Sequence, residues 1–516
     1  MNRSKSTESM IKTAWIGILC NFLSIGSMFV YRKLVLKMLP VQYVGIDGLF
    51  KNLFRVLSIL DIGASTTAVY FLYQPIQQND IEKIRKLLAF FRRIFRLIGI
   101  VILLVGLVVI PFLKYMIKDL SEVPPDVDFR LVYLILLLNL SLSYFFSYRF
   151  LFSDADQRQY ILILTETIGI LVEYTLGLSV LYMTGNYVLM VAAGNVAKIV
   201  IRALFSRYVL QNSLIFFEKA EELDVQEKKR ILYKMAGNLP HNIGSAVAGN
   251  TDQIILTRVV GLSASGFYSN YAVVFSGMIT LMEKVFGGVS SSVGNKIASL
   301  SKKEVYEQFK KLQFLNGWII GVTSICIYVL IEWFIELWIG EQYLLSSLVR
   351  IVVTANYFLS GMRITNVRYV GSAGLFDKDR LRPLIEIVIN LVTSVLLAKR
   401  YGISGVFMGT IISQLCTAAW REPYILHRYY FKRKMSDYIY RCFAFTIVTI
   451  SGCIMFESLM AKIVYFDGNW IGWIIKAIIV LLMANLLMCV IFCRTEEFKY
   501  FKAYLTDRIK SYFKID

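Results

Sequence analysis

Residues 97–113, Leu97-Ile98-Gly99-Ile100-Val101-Ile102-Leu103-Leu104-Val105-Gly106-Leu107-Val108-Val109-Ile110-Pro111-Phe112-Leu113, contain no charged and no amide side chain. As a helix rising ~1.5 Å per residue, this run and its flanks over 94–116 reach across a hydrocarbon core of ~30 Å. A helix on the surface of a soluble domain would keep one polar face, and this one has none. The stretch therefore predicts a membrane span, and with it an all-α fold, because a bilayer core admits only helices and closed barrels.

The rest of the chain repeats the pattern. Of 516 residues, 57% are hydrophobic and 18% are charged, far more apolar than the ~45–50% of a typical soluble domain. Fourteen spans can be placed, over 12–36, 42–72, 94–116, 129–152, 159–183, 187–210, 233–259, 268–294, 313–338, 346–372, 383–398, 403–427, 439–462 and 471–493. The formal net charge is +20, but Lys and Arg cluster in short segments between apolar runs rather than on a soluble basic face. That distribution argues against nucleic acid and follows the positive-inside rule. Lys83-Ile84-Arg85-Lys86, Lys228-Lys229-Arg230 and Lys432-Arg433-Lys434 fall on one side, and the acidic hairpin from Asp119 to Asp128 falls on the other. Both termini are expected in the cytoplasm.

A weak internal repeat at an offset of about 224 residues pairs Gly63 with Gly287, Asp80 with Glu304, Lys86 with Lys310 and Phe90 with Phe314. Two copies of six spans in the same orientation imply a pseudo-two-fold axis along the membrane normal and a central cleft. The expected domains are 1–210 (first lobe), 211–232 (cytoplasmic linker), 233–434 (second lobe) and 435–516 (two further spans and a tail).

The sequence speaks against several classes of chemistry. Its 7 cysteines are odd in number and form no C-x-x-C, and only His241 and His427 are histidines, so no metal or disulfide framework is expected. No GxxxxGK[ST] phosphate loop occurs. No nucleophile–base set stands out, so neither an enzyme nor a cofactor is expected.

Several motifs then carry a resemblance. Arg32 to Gly48, Leu57-Ser58-Ile59-Leu60-Asp61-Ile62-Gly63 and Tyr73-Gln74-Pro75-Ile76 are followed by Tyr268-Ser269-Asn270-Tyr271. Gly374-Leu375-Phe376 with Asp379, and Gly402-Ile403-Ser404-Gly405-Val406-Phe407-Met408-Gly409-Thr410, come after them. In order and spacing the set resembles the polysaccharide-unit flippases of the multidrug/oligosaccharidyl-lipid/polysaccharide (MOP) exporter superfamily. One departure is Asp61, where that pattern has Glu. The resemblance implies a MATE-like fold of two six-helix lobes plus two C-terminal helices, working by alternating access. The implied cargo is an undecaprenyl-pyrophosphate-linked oligosaccharide, moved across the bacterial plasma membrane for surface polysaccharide biosynthesis. Polymerases and glycosyltransferases of the same pathway are the implied partners.

Charges inside the spans supply the candidate site. Asp47, Lys51 and Arg55 lie at i, i+4 and i+8 on one helical face, and Arg32 lies near the outer end of the preceding span. Mid-membrane charges cost roughly 2.5–3.5 kcal/mol each unless they face water or a partner. Such a face can meet a pyrophosphate, with Arg offering paired contacts and Lys a point charge. Alternatively the cluster satisfies itself, Asp47 pairing with Lys51 while Arg55 snorkels outward. Arg363 and Asn366 are the candidates from the second lobe. Asp252, in the polar seventh span with His241, Asn242 and Asn250, either lines the cavity or pairs with Arg258. Glu166 and Glu173 are expected to pair with Lys198 and Arg202 within the first lobe. The small-residue stripe Gly405, Gly409 and Ser413 is expected at a close helix contact. A drug/cation antiporter of the same superfamily is the nearest alternative, although it calls for a net acidic cavity. A membrane polymerase or ligase is the third reading.

Overall fold

In the computed structural model, residues 3–211, 221–236, 251–462 and 468–513 are described. Among them the chain is almost wholly helical and divides into two compact units, 1–266 and 267–516. Nine of the described helices are long and apolar enough to cross a membrane.

The first unit begins with α1 (Arg3–Met38), α2 (Val41–Leu57), α3 (Ile59–Gln78) and α4 (Ile81–Val109). A 3-10 stretch, Ile110–Met116, extends α4, and Pro111 stands near its start, where a missing N–H costs nothing. Next come α5 (Phe129–Ala155), α6 (Tyr160–Thr184), α7 (Tyr187–Gln211) and α8 over 225–236. Then α9 (Asp252–Ile255) runs into a π-helical turn, Leu256–Val260, and α10 (Leu262–Ser299) follows, its residues from Phe267 onward belonging to the second unit. Asp80 and Asp128 cap α4 and α5 by accepting from Lys83 N–H and from Arg130 and Leu131 N–H. The core closes around Tyr133, whose ring lies 5.4 Å from Phe50 and 5.1 Å from Phe54. The Tyr133 hydroxyl donates to Gly106 O at 3.0 Å, satisfying a polar tip in an apolar interior.

The second unit holds α11 (Lys302–Ile339), α12 (Ser347–Met362), α13 (Ile364–Ser372) and α14 (Arg382–Tyr401). It continues with α15 (Ile403–Cys416), α16 (Ala418–Ile425) with the π turn Leu426–Phe431, α17 (Ser436–Met460), α18 (Trp470–Phe492) and α19 (Glu496–Phe513). The expected stripe is where α14 and α15 meet. A Cβ on Gly405 would stand 2.1 Å from Leu397 O, and one on Gly409 would stand 2.3 Å from Ser394 Oγ. Only glycine lets these backbones come so close.

Three spans read as continuous from sequence are broken. The span over 42–72 becomes α2 and α3, parted at Ser58, whose hydroxyl donates to Phe54 O at 2.7 Å and competes for the ladder there. The span over 346–372 breaks at Arg363 into α12 and α13. Asn316 meets the carbonyls at that break, its amide donating to Gly361 O at 3.1 Å and Met362 O at 3.3 Å. The span over 403–427 breaks at Thr417, where Thr417 Oγ1 donates to Ser413 O at 2.6 Å. Of the expected seventh span, Pro240, His241, Asn242 and Asn250 lie outside the described residues.

One element outside the spans is held electrostatically. Glu222 ion-pairs with Lys228 at 2.7 Å and Arg93 at 2.5 Å. The hydrogen bond from Lys228, then that from Arg93, bring the Glu222 carboxyl down to about 2. Lys83–Glu227 at 3.2 Å and Lys86–Glu221 at 2.9 Å add to the same strap, which carries the buried Leu223 and Ile231.

Candidate functional site

Helix α2 turns most of its surface inward, with Val44, Ile46, Leu49, Phe50, Leu53 and Phe54 all buried. The residues left open on it include every charge it has. Asp47 is half-buried, Lys51 keeps 51% of its side chain exposed, and Arg55 is exposed. An ammonium and a guanidinium turned toward hydrocarbon at this depth would cost several kcal/mol between them. The three charges thus share the open face of α2.

Asp47 organises the group. Its carboxylate accepts from Lys51 Nζ at 2.8 Å and lies 4.0 Å from Arg32 Nη2. The pairing expected of Asp47 with Lys51 is present, and Arg55 has no ion pair among the described residues. Arg32 is 8% exposed, and its Nη1 is buried without a hydrogen-bond partner. A buried, unpaired guanidinium N–H favours an anion or water beside it.

Such a space exists. Arg32, Asp47, Lys51, Glu173 and Asn195 line a cavity of about 50 Å³ together with Tyr31, Tyr43, Tyr174 and Tyr187. The volume admits a few waters and no sugar. Tyr31 stacks on Tyr174 at 4.1 Å, and Tyr43 meets Tyr187 edge-on at 4.9 Å while donating to Asp126 at 2.6 Å. Lys198 holds Glu173 at 2.8 Å, and Arg202 holds Glu166 at 3.0 Å, as expected from the sequence. Two cations, Arg32 and Lys51, and two carboxylates, Asp47 and Glu173, line the cavity.

Because Glu173 is committed to Lys198, Glu173→Gln should leave the pH dependence of transport as it is in the parent chain. A flux assay between pH 5.5 and 8 checks this, and loss of a proton or sodium dependence in the variant would contradict it.

Asp252 opens α9, beside α2. Its neighbour Gln253 accepts from Asn52 Nδ2 at 3.4 Å and donates to Ser265 Oγ at 2.9 Å. Arg258 donates to Ile117 O at 3.1 Å. From the acidic hairpin, Glu122 accepts from Ser263 N at 2.8 Å. Within the hairpin the backbone N–H of Ser121 holds the Asp119 carboxyl below its ordinary range.

In the second unit the two candidates part company. Asn366 is buried and donates to Tyr438 Oη at 2.7 Å. Arg363 sits at the α12–α13 break and grips Glu422 with two nitrogens, at 2.7 and 3.2 Å. It also donates to Gln414 at 3.2 Å and lies 3.8 Å from Glu386. Arg382 closes the network onto Glu386 at 2.5 Å, Asp379 at 2.6 Å and Glu422 at 3.5 Å. Glu386, Glu422 and Arg382 were not singled out from sequence. The available signal was two acidic residues inside apolar runs in the half that also carries Arg363.

No protein-family model and no curated protein matches the sequence. Solved structures do match in fold. A MATE-family multidrug resistance transporter of the MOP superfamily, in an inward-facing conformation, superposes with a TM-score of 0.66 at 13% identity, over 81% of this chain and 98% of that one. The lipid II flippase MurJ in an inward closed conformation gives 0.67 at 13% identity, over 93% and 99%. A MOP-superfamily transporter from Pyrococcus furiosus, described as having a binding pocket of reverse polarity, gives 0.57 at 12% identity, over 84% and 98%. The fold is that of the MOP-superfamily transporters. Within the MOP fold the expected all-α, MATE-like architecture is present, and these neighbours are transporters rather than enzymes.

Proposed function

We propose that this chain is a flippase. In this reading it carries an undecaprenyl-pyrophosphate-linked oligosaccharide from the inner to the outer leaflet of a bacterial plasma membrane, by alternating access, for surface polysaccharide biosynthesis. The observation that carries it is Arg32, buried with an unpartnered N–H, beside the open cations Lys51 and Arg55. A pyrophosphate brings about two negative charges and several acceptor oxygens, which suit one guanidinium fork and point charges beside it. A sugar headgroup cannot cross hydrocarbon unaided, so it needs a polar path while its lipid tail stays in the bilayer. The likeness to MurJ, itself named a lipid II flippase, supports the same class of cargo. A net basic stripe speaks against the cationic substrates of a drug antiporter.

The test is reconstitution in liposomes with a fluorescent polyprenyl-pyrophosphate oligosaccharide. Protein-dependent exposure of the sugar to an external lectin supports the reading. Export of a cationic dye with no movement of the lipid-linked sugar would replace it with the antiporter.

The associated topology puts both termini inside. In sealed cells an impermeant maleimide should label Ser121→Cys and leave Ser301→Cys untouched, and the reverse pattern would invert the orientation.

A further inference from the structure

We propose that the end of the second unit where α11 and α17 begin and α18 ends is a docking surface for anionic lipid headgroups. The proposal does not depend on the transported cargo.

Helix lengths place this surface. α11 has 38 residues and so runs ~57 Å, well beyond a hydrocarbon core of ~30 Å. Its polar first turns, Lys302 to Lys311, therefore stand outside that core while Leu312 onward lies within it. α18 has 23 residues, enough at ~35 Å to use up the apolar thickness, and α19 starts 4 residues after its last, Phe492. α19 thus begins at headgroup level. Aromatic contacts fasten it there, Phe498 stacking on Trp318 at 5.8 Å and Phe501 on Phe314 at 6.3 Å.

The charges around this rim are sorted. Four of its carboxylates are engaged internally: Glu304 closes the capping box of Ser301, Glu307 holds Lys310 at 2.7 Å, and Arg441 is held by Asp437 at 3.3 Å and Glu497 at 2.6 Å, while Glu496 is exposed. Lys303, Lys434, Lys499 and Lys502 are exposed and have no ion pair among the described residues. Two further cations are set over rings, Lys311 at 3.4 Å from the Tyr500 centroid and Arg433 at 4.6 Å from that of Tyr306. The rim therefore presents a layer of cations, two of them seated on rings. Exposed Tyr504 and Leu505 on α19 supply the apolar side of an interfacial helix. Phosphodiester headgroups of an anionic leaflet complement this layer, and each Lys near such a surface strengthens attraction roughly fivefold.

The full chain, in nanodiscs of phosphatidylcholine with one-fifth phosphatidylglycerol, is released from lipid stepwise, and the retained lipid is read by native mass spectrometry. Retained phosphatidylglycerol should exceed its bulk share at least threefold, and high salt should reduce the excess. The triple variant Lys434→Gln/Lys499→Gln/Lys502→Gln should fall to the bulk share, with unchanged thermal unfolding showing that it is folded. Lys399→Gln/Arg400→Gln, at the C-terminal end of α14, should keep the excess. Bulk-share lipid on the parent chain would overturn the proposal, as would an excess unchanged in the triple variant. Full competition by millimolar inorganic phosphate would also overturn it, by showing a general anion site instead.

Discussion

Arg55→Gln is expected to lower transport ten- to a hundredfold and to leave the amount of inserted protein unchanged. Arg55 is exposed on α2 and forms no ion pair among the described residues, so removing it disturbs no packing. If it meets the pyrophosphate, the loss is one charge-assisted hydrogen-bonded contact, roughly 1.5–3 kcal/mol. Arg55→Lys should recover part of the activity, because a point charge replaces the fork incompletely. Asp47→Asn combined with Arg55→Gln should not restore function, since Asp47 binds Lys51 and approaches Arg32 rather than Arg55. The measurement is surface polysaccharide in a strain that depends on this chain, read beside protein in the membrane fraction. Normal polysaccharide from stably inserted Arg55→Ala would remove the cationic stripe from the mechanism and leave the fold untouched.

Arg363→Gln is expected to show the opposite profile, lowering stability first and activity as a consequence. The substitution leaves Glu422, 2% exposed, and Glu386, 7% exposed, with Arg382 alone of the two cations they share. Breaking one partner out of a buried pair costs roughly 3–5 kcal/mol, because the remaining charge stays buried. Detergent-solubilised Arg363→Gln should unfold several degrees below the parent chain, and Arg363→Gln/Glu422→Gln should regain most of that loss. A variant that keeps its thermal stability yet loses transport would assign Arg363 to the cargo instead.

These two arginines show what the sequence made legible. Arg55 announces itself through spacing alone, because i, i+4 and i+8 on a helix share a face whatever the tertiary structure does. The same local logic made Glu166–Arg202 and Glu173–Lys198 readable, since α6 and α7 are neighbours joined by a short turn. Arg363 is different. Its partner Glu422 lies 59 residues away, across three intervening helices, and no local pattern encodes that meeting. The helix breaks were hidden for a related reason. Ser58, Arg363 and Thr417 are ordinary helix residues, and the carbonyls freed beside Arg363 are met by Asn316, more than 40 residues earlier. Apolar runs, by contrast, were found throughout, because the bilayer imposes length and hydropathy residue by residue.

The narrowness of the open stripe on α2 constrains how this chain can change over evolutionary time. Each helical residue advances the angular phase by ~100°. A one-residue insertion between Val41 and Asp47 would swing Lys51 and Arg55 out of the open sector and press Leu49 or Phe50 into it. Insertions of seven residues nearly restore the phase, since two turns occupy ~7.2 residues. Length variation in this helix should therefore come in near-whole turns. α2 behaves as a keyed shaft, tolerant of many side-chain exchanges and intolerant of a change in count.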